Sequence, residues 1–250
     1  MSLTILLPVI FFSSFVLTMV GLGGGLVFSP LFVMLGFPVE TAVSASLFLN
    51  GVAAVSAATT YYRKKLIDLK TAVPLLVSST AAAPFGAMLT SRIDIRYFSG
   101  ILALVILLAA LRMLFSSTKG AKTEPGEPKG RVMGGAAIGV AVGFMAGLLG
   151  IGGGVFIVPL LIWVLKMPTK QAAATSMFIV VFSSFSGFAT HISLADTDWR
   201  FILFAAVFSF TGGLLGARVM SDKLKGPAVR RIFGVVLIIF FLKIVQKVFV

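Results

Sequence analysis

The chain has 250 residues, of which 58% are hydrophobic and 12% are charged, and its mean hydropathy is +1.09. Soluble domains are about 45–50% apolar and about 25% charged, so this composition excludes a water-soluble enzyme. The net charge of +13 comes from basic residues between apolar runs, which indicates a membrane protein that contacts anionic lipids rather than a nucleic-acid partner.

Apolar segments separated by short polar turns follow one another along the chain. They cover residues 3–20, 26–36, 42–60, 71–90, 97–115, 132–149, 155–166, 171–190, 199–220 and 232–250. The first has no Lys or Arg ahead of it, so we expect a retained helix and not a cleaved signal peptide. The polar stretch 116–131 is predicted to be a cytoplasmic linker between an N-terminal unit, residues 1–115, and a C-terminal unit, residues 132–250.

The two units repeat each other. GLGGGLVFSP, residues 21–30, aligns with GIGGGVFIVP, residues 150–159, so that four glycines and a proline match. After a one-residue insertion further landmarks follow in the same order: Pro38 with Pro168, Ala42 with Ala172, Ser46 with Ser176, Gly86 with Gly216, and Ser91 with Ser221. A duplicated unit therefore accounts for the whole chain.

The glycine runs determine the expected topology. Residues 3–36 would make a helix of about 51 Å, too long for a hydrocarbon core of about 30 Å, and three glycines stand in its middle. If the chain turns back at each glycine run as a hairpin, 16 of the 21 Lys and Arg share one face, which the positive-inside rule favours. We therefore predict inverted halves, each a glycine-broken hairpin plus three transmembrane helices, with both termini outside. This gives about eight segments. Two short crossings in place of each hairpin would leave the later helices in the same orientation and raise the number of segments to about ten.

A glycine break inside an apolar segment is tolerated only against protein or a wet cavity. Matched breaks in two inverted halves predict a midplane site, and amides at helix starts favour an anion. The alternative is close helix packing through small residues. The predicted glycine positions are Gly23, Gly24, Gly25, Gly152, Gly153 and Gly154. The short helix after the first break begins either at Leu26 or at Pro30, with Ser29 as its cap.

Polar side chains follow each break. Their hydroxyl and amide groups would donate to oxyanion oxygens without the burial of a charge, or else bond back to their own helices. They are Ser44, Ser46 and Asn50 in the first half, and Thr175 and Ser176 in the second. Arg218 is included among the candidate substrate-binding residues, with extension to the headgroups from a helix end as the alternative. His191, beside Asp196 and Asp198, is interpreted as interfacial, and no metal site or cofactor is predicted.

These motifs resemble the sulfite exporter TauE/SafE family of membrane permeases. The resemblance rests on GLGGG…P and GIGGG…P, on the segments Ala45-Ser46 and Ala174-Thr175-Ser176, and on Gly-Ala at 86 and 216. It implies two four-segment halves in the cell membrane that transport sulfite, sulfoacetate or related organosulfonates. It also implies that the two glycine runs, Ser46 and Ser176 line the substrate. Arg218 matches a Gly-Ala-Arg run of the family, whereas the first half has Met88 there.

The sequence thus predicts an all-α polytopic membrane protein of the inner membrane. We expect a secondary transporter, most simply an exporter of a small sulfur-containing anion, and not an enzyme. An anion channel built on the same halves, an importer of another small organic anion and a non-transporting scaffold are the alternatives. A homodimer is compatible with the length, but no segment argues for one.

Overall fold

The computed structural model describes residues 3–90, 104, 106–107, 110–111, 113–114, 128–149, 154–191 and 199–249. All regular structure in these ranges is helical. The continuous elements are α1 (Leu3–Val20), α2 (Gly25–Met34), α3 (Val39–Arg63), α4 (Leu69–Thr90), α5 (Pro128–Leu149), α6 (Gly154–Trp163), α7 (Thr169–His191), α8 (Trp199–Arg218), a π-helical turn (Val219–Lys223) and α9 (Gly226–Phe249).

The helix bounds follow the apolar segments closely. The largest differences are at the starts of two helices: α9 begins at Gly226, six residues before the predicted segment, and α5 begins at Pro128 inside the predicted linker. Proline is favourable in the first turn of a helix, where its missing N–H would have no partner, so the polar residues before Val132 can already be helical. The segment predicted at 97–115 lies mostly outside the described residues, although its described positions are helical.

The chain reverses direction after α1. Ser14 Oγ lies 2.9 Å from Ser209 Oγ, and Thr18 Oγ1 lies 3.4 Å from the Gly213 carbonyl oxygen, so α1 and α8 run parallel. The Phe32 ring, near the end of α2, packs at 6.0 Å on Phe201, near the start of α8. The end of α2 therefore lies at the same end of the bundle as the start of α1.

The second unit shows the same reversal. A Cβ added to Gly135 would lie 2.8 Å from the Thr71 carbonyl oxygen, and one on Gly139 would lie 2.5 Å from that of Leu75. These contacts make α4 and α5 parallel. The Leu165 side chain, just after α6, contacts Gly134 near the start of α5. The end of α6 thus returns to the end of the bundle where α5 begins.

Helices α3 and α7 cross at the centre in opposite directions. Asn50 Nδ2 donates to Ser184 Oγ at 2.7 Å, and the rings of Phe48 and Phe188 are 5.1 Å apart. Beyond Asn50 the interface includes small side chains: Ala54 and Ala57 of α3 share a buried cluster with Ala173 and Ala174 of α7. Small residues let the two backbones approach closely, as is usual between helices in membranes.

Basic residues gather at one end of the bundle, where α3 and α8 finish and α7 begins. Lys64 Nζ pairs with Asp222 Oδ1 at 2.8 Å. Lys170 Nζ donates to the Ser221 carbonyl oxygen at 2.9 Å. These contacts join the basic run after α3 to those around α7 and α8.

The outer surface is apolar along much of its length. Three helices among the described residues are long and apolar enough to cross a membrane: Thr41–Arg63, Thr169–Ala189 and Trp199–Lys223. Large apolar side chains stand exposed on several helices, among them Val77 at 64%, Phe204 at 65% and Val207 at 60%. Such a surface is suited to contact with lipid, in agreement with the apolar composition of the chain.

Candidate functional site

The first glycine break has a defined backbone conformation. Gly21 and Gly23 have φ of 82° and 74°, a region that side chains disfavour, and the Leu22 N–H bonds back to the Leu17 carbonyl at 3.0 Å. Gly24, the residue before α2, has φ of −76° and carries no side chain that could cap the helix. The short helix therefore begins at Gly25, earlier than either start proposed from the sequence, and Ser29 lies inside it.

The break packs directly on the backbone of α7. A Cβ on Gly21 would lie 2.6 Å from Ala173 Cα and 2.7 Å from its carbonyl oxygen. Ser176 Oγ donates to the Gly21 carbonyl oxygen at 2.7 Å, and Ser176 is completely buried. The hydroxyl of the second half thus pairs with a carbonyl that the break in the first half leaves without a helical donor.

The start of α6 contacts the same break. A Cβ on Gly154 would lie 2.7 Å from the Leu22 carbonyl oxygen and 3.3 Å from Val180 Cγ2. Val180 also lies 3.1 Å from a Cβ position on Gly23. Gly154, the last glycine of the second motif, therefore lies against the first break beside Val180 of α7. Gly152 and Gly153 lie outside the described residues.

Asn50 lies beside the break on the α3 side. A Cβ on Gly23 would overlap Asn50 Oδ1. Asn50 is 7% exposed, its Nδ2 donates to Ser184, and its Oδ1 is buried without a hydrogen-bond partner among the described residues. Ser44 Oγ, earlier in α3, is likewise buried without a hydrogen-bond partner among the described residues. Buried polar atoms of this kind are scarce in folded proteins, so both atoms are candidates for contact with a polar ligand.

The remaining predicted residues are not among the contacts described for the break. Thr175 Oγ1 accepts a hydrogen bond from the Asp68 backbone N–H at 3.1 Å, in the turn before α4. Arg218 is exposed at the last turn of α8, as expected for a side chain that extends toward headgroups. Ser46 is buried at the position that matches Ser176, and it also has an interaction partner.

Sequence reasoning missed Gly21 and Ser184. Gly21 was part of the repeated motif, but only its positive φ and its contact with Ala173 distinguish it from the glycines that follow. Ser184 lies eight residues after Ser176, on the same helical face. This spacing is the signal that could have identified it.

The electrostatic character of the site comes from dipoles. No ionisable side chain contacts the break in the interactions described above, while the uncapped start of α2 presents backbone amides. Helix starts carry partial positive charge and bind anions. Among the described residues, no group of three or more His, Cys, Asp or Glu could hold a metal ion.

Comparison with known proteins gives matches over nearly the whole chain. The family model described as sulfite exporter TauE/SafE matches residues 6–244. The probable membrane transporter protein YunE of Bacillus subtilis is 29% identical over 96% of this chain and 96% of its own length. YdhB of the same organism, also named a probable membrane transporter protein, is 26% identical over 86% of this chain and 89% of its own length. No solved structure gives a significant match.

Proposed function

The chain belongs to the sulfite exporter TauE/SafE family and is a membrane transporter, and we propose that it exports small sulfur-containing anions such as sulfite or organosulfonates. Transport is secondary and proceeds by alternating access. The substrate binds where the two glycine breaks meet, between α3 and α7.

The observation that carries this proposal is the contact of the first break with the start of α6 and with α7. Gly154 of the second motif lies on the Leu22 carbonyl of the first, and Ser176 bonds to Gly21. Discontinuous helices that meet near the bilayer midplane supply free amides to anionic substrates in secondary transporters. The uncapped start of α2, beside the unpaired Asn50 Oδ1, provides such a position.

The proposed topology consists of inverted halves in the inner membrane. The directions of the helices support it: α1 is parallel to α8, α4 is parallel to α5, and α3 is antiparallel to α7. Each break turns the chain back, so the helices after it re-enter from the starting side. The basic end of the bundle, marked by Lys64 and Lys170, faces the cytoplasm. Both termini then lie outside.

The decisive experiment is flux into proteoliposomes that contain the purified protein. Sulfite transport should saturate with concentration, and Gly24→Val should abolish it, because a side chain there meets the Phe28 ring and covers the start of α2. Gly226→Val is the matched control, since a Cβ on Gly226 has nothing within 4 Å. Gly153→Val tests the sequence-matched position in the second motif.

The outcomes separate the alternatives. Normal flux through Gly24→Val would refute the assignment of the site. Conductance that does not saturate would indicate an anion channel, and uptake driven only toward the cytoplasmic face would indicate an importer. A reporter fused to either terminus tests the topology independently, because cytoplasmic signal from both would contradict the hairpin arrangement.

A further inference from the structure

We propose that Asn50 determines substrate specificity by accepting a hydrogen bond from the substrate itself. The preferred cargo is then a small anion that carries a hydroxyl or amine hydrogen in addition to its oxyanion group. This inference rests on the proposed function, because it concerns the same site.

The hydrogen bonding of Asn50 leaves one atom without a partner. Nδ2 donates to Ser184 Oγ at 2.7 Å, which fixes the amide across the α3–α7 crossing. Oδ1 is then the atom that faces Gly23, and it is buried and unpaired among the described residues. A buried carbonyl oxygen without a donor is costly, so a ligand that supplies a donor gains affinity at this position.

The neighbouring residues bring this atom against the backbone of the first glycine break. Gly23 has no side chain, and any Cβ there would overlap Oδ1. The next residue, Gly24, precedes α2 without a side-chain cap, and the start of a helix favours negative charge. An anion bound at the start of α2 would place its remaining atoms near Oδ1. The oxygens of a fully deprotonated oxyanion are acceptors only, so two acceptors would face each other unless the substrate has a hydrogen to donate.

The two halves contribute different side chains at equivalent positions of the site. The repeat places Val180 at the position of Asn50 and Ala54 at the position of Ser184. Val180 contacts the Cβ positions of both Gly23 and Gly154, at 3.1 and 3.3 Å. The internal symmetry of the chain is therefore broken where the breaks meet. A substrate with two chemically different ends suits such a site better than a symmetric ion.

The test compares two sulfonates that differ in a single hydroxyl: 2-hydroxyethanesulfonate and ethanesulfonate. Affinities of the purified full-length protein are obtained from ligand-dependent thermal stabilisation, and transport is measured as competition with sulfite flux. Wild type should bind the hydroxylated compound about tenfold more tightly or better, because sites built to pair a hydroxyl reject the analogue that lacks it.

Variants then show which residue causes the preference for the hydroxylated sulfonate. Asn50→Leu, similar in size but unable to form hydrogen bonds, should reduce the ratio of affinities to near one. Ser183→Ala should retain the wild-type ratio, because the Ser183 hydroxyl bonds only to the Val180 carbonyl of its own helix in the contacts described. Ser184→Ala should give an intermediate ratio, since it frees the amide without removing it.

Three results would overturn the inference. If wild type binds both sulfonates equally, Oδ1 does not contact the substrate, and the proposed function still stands. If Asn50→Leu keeps the preference, another group reads the hydroxyl. If neither sulfonate binds and sulfite is not transported, both the inference and the proposed function fail. The wild-type comparison alone is decisive even if Asn50→Leu does not fold.

Discussion

Gly21→Ala tests whether the first break is held by direct contact with the backbone of α7. Two effects destabilise an alanine at this position: an unfavourable backbone conformation and a steric overlap with α7. Gly21 has φ of 82°, and an added Cβ would lie 2.6 Å from Ala173 Cα and 2.7 Å from the Ala173 carbonyl oxygen. Gly36→Ala is the control that measures the first effect alone, because Gly36 has φ of 86° but nothing within 4 Å of its Cβ position.

The magnitudes follow from this comparison. The left-handed conformation costs an alanine about 1–2 kcal/mol, which is the whole effect expected for Gly36→Ala. Overpacking against a rigid neighbour adds about 1–3 kcal/mol, so Gly21→Ala should lower the free energy of unfolding by about 2–5 kcal/mol. The difference between the two variants measures the packing term alone, because the gain from stiffening the unfolded chain is common to both.

The assay is reversible unfolding in mixed detergent micelles, followed by the loss of helical circular dichroism. Ala173→Gly should not rescue Gly21→Ala, because the contact is with the backbone of residue 173 and not with its methyl group. Equal destabilisation by Gly21→Ala and Gly36→Ala would refute the argument, as would full rescue by Ala173→Gly. Either result would mean that the break does not lie on α7.

Three further variants test other contacts. Ser176→Ala removes the donor to a buried carbonyl and should cost about 1–3 kcal/mol of unfolding free energy, whereas Ser183→Ala should cost almost nothing by the same measurement. Lys65→Gly should raise the free energy of unfolding by about 1 kcal/mol and raise the thermal midpoint, because the φ of 56° after the end of α3 suits glycine. Lys65→Ala keeps the unfavourable φ and should not raise the thermal midpoint. Asp222→Asn breaks the ion pair with Lys64 but should leave the thermal midpoint unchanged, because both side chains are about half exposed; a large drop would mean that the pair does more than a surface contact.

The sequence predicted the helices well because lipid imposes a simple rule. Each apolar run of sufficient length must be helical, since no other local structure satisfies its backbone in hydrocarbon. Polar turns such as the one after Arg63 therefore mark the helix ends within a few residues. The comparisons confirm the family that the repeated glycine motifs indicated, and with it the function of a membrane transporter.

The pairing of the helices could not be predicted, because it depends on contacts between distant residues. Ser14 and Ser209 are 195 positions apart, and neither sequence segment indicates the other. Thr175 and Ser176 are adjacent and equally polar, yet only Ser176 bonds to the break, because a rotation of about 100° per residue directs them to different neighbours. The repeat identified Ser176 as a candidate, but its partner is visible only in the folded chain.

The exchange of helices between the halves has a consequence for biogenesis. The first helix of each unit packs on the fourth helix of the other: α1 on α8, and α5 on α4. During synthesis α1 is made long before α8. The Gly21 carbonyl oxygen lacks its hydrogen-bond donor until Ser176 has been added to the chain. Neither unit can then mature before the other has been inserted. We therefore expect an N-terminal half that is made alone to keep surfaces exposed to lipid that the second half covers in the finished chain.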